Sequence, residues 1–330
     1  MKNLVLSLFS LLLCFLFAEV ALRIVPEKEQ VKWNDRPVFY FRDMPTMQSH
    51  KYNPIKPKDT FRIAVIGDSF TFAPYMQFTD TFVSKLEQML NLNYRRTEVI
   101  NYGVPAYSTS HEVTVAKKAI KEQADLVVLQ ITLNDPEYKA HRPSAIKEQK
   151  NKDDPFGPYR APDTFLGKFK LYNFVMQKLH NNKSHKAYAK YFLDLFEGNE
   201  HYPLFERSMH EIVQTVKQAK KPIASVTFPL FGLPMDETYP FYSIHKKVDD
   251  LLNKLNVNHL DLSDAYKNIP LERLQVLPGV DRHPNEIAHR IAAEKIYLWL
   301  EEKELLPKDI LIQDKFATRL GVNEQRQYQK

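Results

Sequence analysis

The sequence predicts an α/β fold built on a parallel sheet covered on both faces. Short apolar, β-rich runs alternate with segments whose apolar residues recur at helical spacing. The first of these, Phe61–Gly67, is a short β-rich apolar run that reads as a buried strand. A third observation locates the chemistry. Polar, loop-forming motifs follow directly on the ends of these strands, and ligands of such sheets sit in the crevice beyond the carboxyl ends.

The chain opens with Lys2 and a charge-free, mostly apolar run over residues 4–18, closed by Glu19. A basic start followed by an apolar run is an export-signal pattern. Counted on through Val20, Ala21, Leu22, Ile24 and Val25, it reaches the length of a spanning helix, with Glu19 and Arg23 near the outer end. Leu16-Phe17-Ala18 and Glu19-Val20-Ala21 both fail at the first small position of a cleavage site. Leu11-Leu12-Leu13-Cys14 lacks the small residue expected before a lipidated cysteine. Residues 1–25 therefore read as an uncleaved signal anchor, with the remainder outside the cytoplasm, periplasmic or at the cell surface. A cleaved segment would instead make the protein secreted. Residues 26–60 are polar, proline-containing and aperiodic, a linker or lead-in.

Phe61–Gly67 reads as the first buried strand. Residues 80–92 place Phe82, Leu86, Met89 and Leu90 on one helical face, with Asp80 as N-cap. Residues 98–101 form a second strand. Thr109 and Glu112 have capping-box spacing ahead of a helix bearing Ala116, Ala119 and Ile120. Residues 126–131 form a third strand. The alternation stops over 136–205, a charged insertion rich in Pro, Tyr and Phe, with short helices expected near 171–181 and 186–196. Its aromatics, among them Phe156, Tyr188, Tyr191 and Phe192, are expected to pack a small subdomain. Alternation resumes with a helix carrying Met209, Ile212, Val213 and Val216 and a strand over 222–228. A helix with Val248, Leu251, Leu252 and Leu255 and a strand over 257–262 follow. The last helix starts after His283, with Pro284 in its first turn, and ends near 302. The main domain is thus read as 61–303, followed by a polar tail over 304–330.

Composition removes several function classes. Glycine is scarce, at 8 residues, and neither G-x-G-x-x-G nor G-x-x-x-x-G-K-[ST] occurs, which argues against a dinucleotide or P-loop site. The formal charge of +6 arises from 46 basic residues scattered among 40 acidic ones, a mildly basic solvated surface that implies no nucleic-acid partner. Cys14 is the sole cysteine, so no intrachain disulfide and no thiol chemistry is expected. No H-x-x-x-H or H-E-x-x-H pattern suggests a metal. His111, His141 and His245 read as surface histidines. His289, more than a turn beyond His283, reads as non-catalytic.

Gly67-Asp68-Ser69-Phe70 follows the first strand, which puts Ser69 at the carboxyl edge of the sheet. A serine hydroxyl is a weak nucleophile until a base takes its proton. The candidate base is His283, in Asp281-Arg282-His283-Pro284-Asn285, at the same edge. Asp281 is the nearest acid able to orient it. Attack on an acyl carbonyl also needs oxyanion donors. Asn134, after the third strand, offers a side-chain amide, and the loop Asn101-Tyr102-Gly103-Val104-Pro105-Ala106 a backbone N–H. Asp68 reads as a loop stabiliser and Asp135 as an orienter or turn former.

These four stretches resemble the four motifs of the SGNH, or GDSL-like, hydrolases, in the family's order. The resemblance implies a flavodoxin-like, three-layer α/β/α sandwich around a parallel sheet of about five strands. It implies ester hydrolysis, or occasionally acyl transfer, without metal or cofactor. Ser69 would be the nucleophile and His283 the base. Asn134 and the N–H groups of Ser69 and Ala106 would form the oxyanion hole, with Gly103 a secondary candidate. Two positions depart from the family: Ala106 stands where glycine is usual, and Val280 where the acid is usual, three residues before the histidine. The expected substrate is an acyl ester on a cell-envelope glycan or lipid. An O-acyltransferase using the same residues and a catalytically silent glycan-binding module are the alternatives. The oligomeric state is not legible.

Overall fold

The computed structural model describes residues 2–25, 49, 51–137 and 159–312. Most of the 26–60 lead-in, residues 138–158 of the insertion, with His141 and Phe156, and the tail beyond 312 lie outside the described residues.

The order of elements is α1 (Lys2–Ile24), β1 (Phe61–Gly67), α2 (Ser69–Phe72), α3 (Phe82–Asn93), β2 (Thr97–Gly103), α4 (Thr109–Lys121) and β3 (Leu126–Thr132). Then come α5 (Lys170–Glu197), α6 (Tyr202–Gln218), β4 (Ile223–Phe228), α7 (Tyr242–Lys254) and β5 (Asn258–Asp261). A short hairpin, β6 (Gln275–Leu277) and β7 (Asp281–Pro284), precedes α8 (Glu286–Glu302).

β1 to β5 form one parallel sheet in the order β2-β1-β3-β4-β5. This is the flavodoxin-like order, and the expected three-layer α/β/α architecture is present. The β1-to-β2 step and the β2-to-β3 step run in opposite directions across the sheet. Right-handed crossovers therefore put α3 on one face and α4 on the other. α3 packs against α8, and α4 against α6. β1, β3 and β4 are buried almost end to end, as their largely apolar sequences require.

The amino edge of the sheet is closed by a buried arginine. Arg62 is fully buried and donates to Glu98 Oε2, to the carbonyls of Asn53 and Pro54, and to that of Glu122. A buried charge persists only when paired and hydrogen-bonded in this way. It pins residues 53–54 under the sheet, away from the carboxyl edge.

Several local expectations are corrected. The N-cap of α3 is Thr81, whose hydroxyl accepts from Ser84 N at 3.2 Å. Asp80 sits in the preceding 3-10 turn and pairs with Lys85. The capping box of α4 is Ser108 with His111, one residue earlier than the Thr109–Glu112 spacing suggested, so Glu112 turns inward. The two short helices of the insertion are one continuous helix, α5, whose Tyr188 and Phe192 join the main core against Phe241 and not a separate subdomain. α8 is capped by Asn285, which accepts from Ile287 N and Ala288 N, and Pro284 lies in β7 ahead of it. His111 is exposed, but His245 is buried, with Nδ1 2.9 Å from Asp261 Oδ2.

α1 is apolar on all sides, and Asn3–Ile24 is long and apolar enough to cross a membrane by length and composition.

Candidate active site

The site is assembled at the carboxyl edge of the sheet from the loops after β1, β2 and β3 and from the hairpin before α8. Ser69 is the first residue of α2, immediately after β1. Gly67 makes this sharp entry possible. A Cβ there would meet Thr71 Oγ1 at 2.3 Å and Gln130 Oε1 at 2.4 Å. Asp68 is the N-cap: its Oδ1 accepts from Phe70 N at 2.9 Å and from Thr132 Oγ1 at 3.2 Å. Gln130 joins the arrangement, accepting from Thr71 Oγ1 and donating to Thr132 Oγ1. The buried Asp68 thereby fixes the Ser69 turn to β3. Ser69 Oγ itself lies 3.5 Å from Asp68 Oδ2, a long contact that leaves the hydroxyl weakly committed.

His283 and Asp281 lie on β7. Asp281 is buried, and its Oδ1 accepts from His283 N at 3.0 Å and lies 2.8 Å from His283 Nδ1. A carboxylate only accepts, so this contact places the proton on Nδ1 and leaves the Nε2 lone pair as the basic one. The shifted register of the acid has a geometric reason. The turn at Leu277–Val280, with Pro278, Gly279 at φ +73° and Val280 N donating to Leu277 O, starts β7 at Asp281. Along a strand, residues two apart share a face, so Asp281 and His283 meet while Val280 is exposed. Arg282 faces the other way, its guanidinium 4.8 Å from the centroid of the Tyr188 ring on α5. The His283 ring lies 5.9 Å from that of Phe70, the neighbour of Ser69, and Phe70 stacks on Phe231. The serine turn and the histidine strand are therefore adjacent.

Asn134 follows β3, with its Oδ1 buried and without a hydrogen-bond partner among the described residues. Asp135 holds the turn beneath it: its Oδ2 accepts from Thr132 N at 3.0 Å and its carbonyl from Thr109 N. Ala106 is exposed at φ +72°, in a turn over residues 104–107 closed by Tyr107 N donating to Val104 O. Proline followed by a residue of positive φ is the type II pattern, where glycine is preferred. Ala106 thus adopts the conformation glycine would take, at a cost of about 1–2 kcal/mol. Gly103 does not fit as an oxyanion donor, because its N–H already donates to Asn101 Oδ1 at 2.8 Å. Its lack of a side chain serves packing, since a Cβ would strike Phe72 N at 2.4 Å.

Two buried titratable groups border the site. His289 accepts from Phe82 N at its Nδ1 and stacks on the Phe82 ring. Burial pushes its pKa down to about 3, so it is a neutral structural acceptor, not a second base. Glu112 was legible only as a capping partner. It is fully buried, with neither carboxyl oxygen hydrogen-bonded among the described residues. Burial and then the nearby Asp68 charge raise its pKa well above the ordinary range. An acid raised on folding contributes stability that is complete below its unfolded pKa, about 4.3. That contribution is lost as pH rises through the folded value. Wild-type stability should therefore decline from the acidic side upward, and Glu112→Gln, neutral at every pH, should remove that component. Urea midpoints across pH check this; identical pH profiles for both proteins would contradict it.

No family model matches the sequence, and no curated protein matches it. Some solved structures are similar to this chain at low identity. A lipase/acylhydrolase from Enterococcus faecalis is 12% identical, covering 78% of this chain and 100% of its own, at a TM-score of 0.46. The acetylxylan esterase Axe2 from Geobacillus stearothermophilus is 15% identical, covering 73% of this chain and 94% of its own, at a TM-score of 0.45. Ser69 follows β1, the Asn101–Ser108 stretch spans the end of β2 and the loop beyond it, Asn134 follows β3, and His283 lies on β7, beyond β5.

Proposed function

We propose that the protein is a serine esterase of the SGNH type, working through an acyl-enzyme on Ser69. The observation that carries this is the Asp281–His283 pair at 2.8 Å, set beside the Ser69 turn by the Phe70–His283 ring contact. His283 Nε2 takes the proton of Ser69 Oγ as the oxygen attacks the acyl carbonyl, and Asp281 stabilises the imidazolium formed. The Asn134 amide and the N–H groups of Ser69 and Ala106 receive the oxyanion. The imidazolium then protonates the leaving alcohol. Water, activated by the same histidine, releases the acid.

The apolar α1 supports a membrane-held enzyme whose catalytic domain lies outside the cytoplasm. In that setting we assign the substrate class as acyl esters on envelope glycans or lipids. A series of nitrophenyl esters of increasing chain length, run beside acetylated polysaccharides, tests the assignment. Release of acid from at least one of these by the purified full chain is expected. No turnover of any would overturn the esterase reading.

Asn134→Ala should lower kcat by about a hundredfold to a thousandfold with little change in KM, the loss of one oxyanion donor. If only KM rises, Asn134 contacts bound substrate and does not stabilise the transition state.

A further inference from the structure

The first half of α5 is a helix without a core. Among the described residues, none from Lys170 to Lys183 is buried; burial begins at Ser184. Phe174, Val175 and Leu179 are exposed, the last two on one face, and so are Phe165 and Leu166 at the 3-10 turn ahead of the helix. This half-helix is about 20 Å long. An apolar face of that length, left in water, neither stabilises the helix nor stays free of partners.

Two observations identify what covers it. The first is continuity with α1. Glu19, near the outer end of α1, is buried against α5 and accepts from Lys170 N at 3.0 Å and Leu171 N at 2.8 Å. It caps the helix that begins 151 residues later. Arg23 completes the joint, donating to Glu19 Oε1 at 2.8 Å and to Lys168 O at 3.2 Å. The ring of Phe15 meets that of Phe169 edge-on at 5.8 Å. The apolar turn and the start of α5 are therefore level with the last turns of α1.

The second observation is charge. Between residues 164 and 193 there are six lysines, Lys168, Lys170, Lys178, Lys183, Lys186 and Lys190, and no Asp or Glu. Exposed apolar residues interspersed with lysines, with no acid among them, suit an anionic membrane interface.

We propose that residues 165–169 and the first half of α5 lie in the outer interface of the bilayer that α1 spans, seated on anionic lipid. The inference rests on the reading of α1 as a retained membrane span. The second half of α5 then rises from the lipid into the catalytic domain. There Tyr188 fills the space beside Gly232 and lies under Arg282, and Tyr191 bonds Glu137 just after β3. α5 is thus a strut that holds the Ser69 edge at a fixed height and orientation over the membrane.

The full chain, with Cys14→Ser and single cysteines at Leu166, Phe174 or Leu179 carrying an environment-sensitive fluorophore, is reconstituted into phosphatidylcholine vesicles containing phosphatidylglycerol. Labels at Leu12, inside α1, and at Leu92, exposed on α3, serve as references. Brominated acyl chains in the bilayer should quench the labels at 12, 166, 174 and 179 and leave the label at 92 bright. Omitting phosphatidylglycerol should reduce quenching at 174 and 179 but not at 12. Quenching at 12 with the α5 labels as bright as 92 would overturn the strut while leaving the span intact. A bright label at 12 would overturn the span itself, and the strut with it. Equal quenching at 174 and 179 with and without phosphatidylglycerol would overturn the assignment to anionic lipid.

Discussion

Ser69→Ala is expected to reduce ester turnover by several orders of magnitude while leaving the fold unchanged. Loss of a nucleophile removes most of the gain that a serine, its base and its orienting acid produce together. The structural cost should be small. Ser69 is half-buried, its hydroxyl makes a single long contact, 3.5 Å to Asp68, among the described residues, and the cap of α2 is supplied by Asp68. Turnover and thermal unfolding of the purified variant check both halves. Near-normal turnover would remove Ser69 from the mechanism.

Asp281→Asn is expected to have the second-largest effect, a fall in kcat of about three to four orders of magnitude. Asp281 Oδ1 accepts from both the main chain and the ring of His283. Asparagine keeps the shape and can still accept from the main-chain N–H. The same oxygen can also reach the ring, but as a neutral amide the side chain cannot balance the imidazolium charge. The expected signature is a loss in kcat with an unchanged urea midpoint. An unchanged kcat would reduce the site to a Ser69–His283 dyad.

The sheet was legible because each central strand is a short, largely apolar run, which suits a strand covered on both faces. The site motifs were legible for a related reason: they begin where those runs end. Helix starts were less so. Asp80 and Thr81 are both good caps and adjacent, and backbone geometry, not residue type, chooses Thr81. At α4 the same one-residue slip changed chemistry, turning Glu112 from a surface cap into a buried, uncompensated acid.

The β6–β7 hairpin left no periodic trace, because its strands are only three and four residues long. That is why the acid seemed out of register. Val280 would matter if the segment were a loop, whereas a strand brings Asp281 and His283 to one side. The α5 helix was read as two pieces because Asn181-Asn182-Lys183-Ser184 interrupts its apolar pattern. In the structure the interruption marks the change from an exposed half to a half buried in the domain. The Glu19 cap on α5 was beyond reach, since nothing local relates residues 151 positions apart.

The central claim is that Ser69 is a nucleophile activated by His283. Its most direct test is reaction of the full chain with a fluorophosphonate, followed by mass mapping of the adduct. The account predicts one stoichiometric adduct on Ser69 and a labelling rate that collapses in His283→Ala. An adduct elsewhere, no adduct on Ser69, or a labelling rate indifferent to His283 would contradict it.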